Sequence, residues 1–113
     1  MYELSVHRYR ELKHFCLQYH EMKEELERLY QNKTEHSKSD ITGRIAVSRS
    51  DLMYATELIE MTAYDTSTEF GDKILEAVTL DLSLRELTLP CDKIEFERLL
   101  HKFYWLLSER KGV

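Results

Sequence analysis

The chain has 113 residues, 42% apolar and 33% charged, with three glycines, one proline and a net charge of −5. That length suits one domain with one core, and so few turn-forming residues argue against a fold of many short strands. The acidity argues against a strongly cationic nucleic-acid surface: residues 51–90 carry −7 (nine Asp and Glu against two Lys and Arg), 1–33 balance at zero, and 34–50 and 91–113 carry +1 each.

Charged residues begin within the first turns, and no apolar run approaches the ~20 residues of a membrane span, so a cytoplasmic, reducing setting is expected. Leu12, Phe15, Tyr19, Met22, Leu26 and Leu29 step by three and four, which predicts one long amphipathic helix over about residues 5–31. A polar loop is expected at 32–39, with no apolar residue from Asn32 to Ser39. Asp40 can cap a second helix from Ile41 to Ala63, whose stripe is Ile45, Leu52, Ala55, Ile59 and Ala63. Gly43 would cost that helix roughly 1 kcal/mol, which allows a later start near Ser48 or Ser50.

Asp65, Thr66, Ser67 and Thr68 predict a break and a new cap, followed by a third helix carrying Phe70, Ile74, Leu75 and Val78 and ending near Leu80. Ser83 and Glu86 have the spacing of a capping box for a short helix that Pro90 would stop. Asp92 can cap the last helix, apolar around more than half its circumference through Phe96, Leu99, Leu100, Phe103, Tyr104, Leu106 and Leu107. The predicted fold is all-α: a compact single-domain bundle of four to five helices over 1–113, with the last helix as its hub.

Catalytic and cofactor patterns are absent. His20 and Glu24 begin like a helical zinc motif, but Glu24 stands where the second histidine is needed, so neither a metal nor a cofactor is expected. Cys16 lies on an apolar stripe and reads as a structural thiol. Cys91, next to a helix start, is where a lowered thiol pKa could arise. Gly43, Gly71 and Gly112 are isolated and form no phosphate loop. The predicted protein is not an enzyme.

Two patterns remain. The order helix, short helix, sharp turn, long helix over about 69–109 is that of a helix-turn-helix, in which Lys93, Arg98, His101 and Lys102 would face duplex DNA. The acidic band from Asp51 to Glu86 supplies Asp51, Glu57, Glu60, Asp65, Glu69, Asp72 and Glu76 as candidates for contact with a basic protein surface.

Several segments carry a resemblance. Tyr9 to Tyr19, Thr42-Gly43-Arg44, Leu58 to Ala63, Ile74 to Thr79, Pro90-Cys91 and Lys102 to Leu107, taken in order, resemble a family of short proteins encoded by phages and prophages of Gram-positive bacteria. The C-terminal half is similar to the sigma-region-4-like helix-turn-helix of phage transcription regulators of the RinA/ArpU type. The resemblance implies duplex DNA as a partner, with Arg98, Lys102 and Lys93 at the basic positions, and with the element order it gives the expectation of a DNA-binding transcriptional regulator acting as a homodimer or with RNA polymerase. The acidic band implies instead an interaction module that occupies a host nucleic-acid-binding or defence protein.

Overall fold

The computed structural model describes residues 3–32, 39–80 and 91–112, and the side chains of these outside 30–48. Helices form where the apolar spacing and local caps agree. Ser5 caps α1 (Val6–Leu17), its hydroxyl accepting the Arg8 N–H at 3.1 Å. Next come α2 (Tyr19–Asn32) and α3 (Ser39–Thr66). Ser67 Oγ then accepts the Phe70 N–H at 3.0 Å and turns the chain into α4 (Gly71–Leu80). Asp92 caps α5 (Lys93–Lys111) through the Ile94 N–H at 3.2 Å, and Gly112, at φ 67°, closes it. No strand occurs among the described residues, and the architecture is an all-α bundle measuring 53 × 30 × 22 Å.

The expected single N-terminal helix is two. Gln18 interrupts it, its N–H turning back three residues to the Phe15 carbonyl at 3.3 Å before α2 resumes. The physical reason lies in the partners: α1 packs on α4 and α5, whereas α2 lies along α3, and a straight helix could not follow both. Two boundaries also move. Asp40 falls inside α3 and does not cap it, because the helix already begins at Ser39 and runs through Gly43. Asp65 and Thr66 do not break the chain, since α3 continues to Thr66 and leaves capping to Ser67. The expected loop shrinks accordingly, with Asn32 and Ser39 helical and 33–38 outside the described residues. The Ser83–Leu87 helix and Pro90, needed to complete a helix-turn-helix, also lie outside them.

The core gathers Leu12 and Cys16 from α1, Tyr19 from α2, Ile59 and Ala63 from α3, Ile74 and Val78 from α4, and Phe96, Phe103, Tyr104 and Leu107 from α5. Burying Phe96 and Phe103 completely removes the largest apolar areas from water, on the order of 1.5–3 kcal/mol each. The hub is shared, not α5 alone: α5 meets α1, α3 and α4, while α3 meets α2, α4 and α5. Four threonines, Thr56, Thr62, Thr66 and Thr79, are buried in the same region. Each hydroxyl donates to a carbonyl one turn back in its own helix, so no polar atom is stranded and the small side chains let the helices approach.

Two arginines pin the ends together. Arg8 donates from Nε to Ser108 Oγ at 2.9 Å and from Nη2 to the Ser108 carbonyl at 3.2 Å, joining the start of α1 to the end of α5. Arg110 donates to Thr62 Oγ1 at 3.2 Å and Asp65 Oδ2 at 2.5 Å, joining α5 to α3. Lys111 Nζ sits 3.8 Å from the centroid of the Phe15 ring.

Candidate functional site

The cations expected to face DNA are borne by α5, whose inner side is fixed by Phe96, Phe103 and Leu107. At ~100° per residue, Arg98, His101 and Lys102 fall within about 100° of one another on the outer side, while Lys93 is about 80° beyond His101. Lys93, Arg98 and His101 are exposed and Lys102 is half-buried. His101 also lines a recess of about 430 Å³ with Leu4, Val6, Tyr9 and Tyr104, in which the Tyr9 and Tyr104 rings meet edge to face at 5.0 Å. Glu95, Glu97 and Glu109 are exposed on the same helix, so carboxylates alternate with the cations. The remaining α5 cations, Arg110 and Lys111, are engaged within the fold by Asp65 and Phe15.

The acidic band does not form one surface. Glu60 is turned toward α2, where it accepts from the Tyr19 hydroxyl and, at 3.4 Å, from Lys23 Nζ. Burial, then the hydrogen bond and charge of Glu60, push the Tyr19 phenol well above its usual range. Asp65 pairs with Arg110, Asp72 accepts from the Tyr64 hydroxyl, and Glu76 pairs with Lys73 at 3.3 Å. Asp51, Glu57 and Glu69 are exposed, with no such partner among the described residues.

What the sequence reading missed lies between these carboxylates. Met53, Tyr54, Met61 and Tyr64 are 40%, 65%, 60% and 41% exposed, and their spacing places all four on one side of α3 within about 100°. Glu57 sits at the middle of this stripe. Beside Met53, the stripe runs into a groove of about 570 Å³ between α2 and α3, lined by Glu24, Glu27, Glu57 and Glu60 together with Lys23 and Arg49. At the other end Tyr64 is held by Asp72 and lies over Gly71, where an added Cβ would run into the tyrosine ring. The signal was available: the inner stripe Leu52, Ala55, Ile59, Ala63 leaves Tyr54, Met61 and Tyr64 on the far side of a helix that is apolar twice over.

Both thiols are shifted toward the protonated form. Burial pushes Cys16 up to about 12, and Cys91, half-buried, is likewise raised by desolvation and by the charges of Glu95, Asp92 and Glu69. The direction is therefore opposite to the lowering that a helix start alone would give, with desolvation first and the neighbouring carboxylates second. Among the described residues no three His, Cys, Asp or Glu side chains converge as metal ligands, and no helix is long and apolar enough to cross a membrane. Compared with protein-family models, characterised proteins and solved structures, the chain matches none.

Proposed function

We propose that this chain is a non-catalytic protein-binding module that meets its partner with the outer face of α3. The observation that carries this reading is the exposure of Met53, Tyr54, Met61 and Tyr64 on one helix side. Apolar side chains grouped on one face together with charge mark interaction surfaces, and single exposed apolar side chains do not. Methionine and tyrosine suit the task, one by adapting its shape and the other by offering rigid area with a polar tip. The resemblance to phage-encoded proteins would supply the setting, a bacterial host protein as partner.

A photo-crosslinking residue placed at Met61, and separately at Lys93 on α5, tests the reading. Irradiation in a bacterial extract is expected to give a discrete protein adduct from position 61 that disappears when Tyr54→Ser is added. Adducts from position 93 alone, or none from either, would overturn it.

A second reading, a DNA-binding regulator, is supported by Lys93, Arg98 and Lys102, for which no ion pair occurs among the described residues. It requires binding to mixed duplex DNA at ~50 mM salt that falls steeply as salt rises and weakens with Arg98→Ala and Lys102→Ala. The absence of low-salt binding removes it.

A further inference from the structure

We infer that the occupant of the outer face of α3 is a basic amphipathic helix of a partner protein, laid lengthwise along the stripe from Met53 to Tyr64. This rests on the protein-binding reading and names its partner by chemistry.

Shape argues for a helix. Met53 to Tyr64 spans three turns, about 16 Å, and presents apolar side chains on either side of Glu57 along one helix face, the kind of face another helix matches with residues spaced three and four apart. A convex helix side cannot enclose a small molecule, which needs a concave site. The ridge is also partly set before binding: Tyr64 is fixed by its bond to Asp72 and by the close approach of Gly71, so less freedom is lost there on docking.

Charge chooses the sign of the partner. Of the carboxylates from Asp51 to Asp72, Glu60, Asp65 and Asp72 are engaged within the fold, which leaves Asp51, Glu57 and Glu69 exposed and without such a partner among the described residues, and no Lys, Arg or His lies between Ser50 and Asp72. Glu57 lies mid-stripe and exposed, so any occupant desolvates it. An apolar or acidic helix would leave that carboxylate buried without a counter-charge, which is costly. A second copy of this chain, paired antiparallel about the stripe centre, would bring Glu57 of each copy against Glu60 of the other. Nucleic-acid phosphates meet the same repulsion. A helix with Leu-like residues on one face and Lys or Arg at its flanks satisfies both conditions, covering Tyr54, Met61 and Tyr64 while pairing Glu57.

The test uses the whole protein and a labelled peptide of about 20 residues made only of Leu and Lys, with Leu at helical spacing. Two further peptides share its length: one with the same composition in scrambled order, one with Glu in place of Lys. Fluorescence anisotropy is expected to show saturable one-to-one binding of the first, about tenfold or more tighter than the scramble, and none of the Leu–Glu peptide. Glu57→Lys and the pair Tyr54→Ser with Met61→Gln should each weaken binding about tenfold or more with an unchanged circular dichroism spectrum, the altered side chains being exposed. Lys93→Ala should leave it unchanged. Amide shifts on titration should concentrate on residues 53–64.

Equal binding of ordered and scrambled peptides, shifts centred on α5, displacement of the peptide by duplex DNA, or no binding would each overturn the inference. If the peptide fails while position 61 still crosslinks to a discrete protein, the occupant is something other than a basic helix and the protein-binding reading stands. Loss of both removes both.

Discussion

The two faces of α3 invert the usual expectation of which side of a helix is buried. The buried residues of the inner face are Thr56, Ile59, Thr62, Ala63 and Thr66, with Leu52, Ala55 and Leu58 half-buried beside them. The outer face bears two methionines and two tyrosines and stands in solvent. Apolar area alone did not decide which side turned in. Close packing did: small side chains allow α4 and α5 to approach α3, and each threonine satisfies its hydroxyl within its own helix, so the polar cost of burial is met locally. The bulkier side chains are left where a partner can reach them.

The contrast can be broken most forcefully at Ile59, which has no exposure. Ile59→Ala should cost about 2–5 kcal/mol in a denaturant titration, whereas Met61→Ala, two residues on and facing outward, should stay within about 0.5 kcal/mol. Equal costs would mean that the outer side is part of the core.

Gly71→Ala comes next, because the added methyl runs into the Tyr64 ring and comes to 3.1 Å from the Tyr64 Cα. A net loss of about 1–2 kcal/mol is expected, after the roughly 1 kcal/mol that alanine returns through helix propensity. Tyr64→Ala in the same chain should recover part of it, and purely additive costs would refute the contact.

Tyr19→Phe is a smaller change at neutral pH, about 1 kcal/mol for the bond to Glu60. Its signature is in alkali. The unfolded phenol ionises near 10.0 while the folded one holds its proton to higher pH, so stability is complete below 10 and falls as pH rises beyond it. Thermal melts from pH 9 upward should show that decline for the native chain and a shallower one for the phenylalanine variant. Asp65→Asn should do least, about 0.2–1 kcal/mol, its ion pair with Arg110 being half-exposed. A larger loss would make Arg110 a principal clamp between the two hubs.

Much of the fold was legible. Phe96, Phe103 and Leu107 are buried as the α5 pattern required, and Ile74 and Val78 follow the same logic in α4. The break at Gln18 was not, because a kink without proline or glycine is set by which helices α1 and α2 each pack against, and spacing along one chain does not contain that information. The outer stripe was hidden by periodicity itself: a helix apolar on two sides yields one obvious stripe, and the second dissolves into the background. Charge counting found the acidic band yet could not separate Glu60 and Asp65, engaged within the fold, from Glu57, for which no such partner occurs among the described residues.

Gly71 does more than end a turn. By seating Tyr64 against the first turn of α4, with Asp72 holding the phenol, it gives one side chain membership in both the solvent-facing ridge and the joint between two helices. Any docking event that rotates that ring must let go of Asp72 and press on the α4 backbone, so the angle of the joint reports on occupancy. Ridge and interior thus share one side chain, seated on the same helix that carries Ile74 and Val78 into the core.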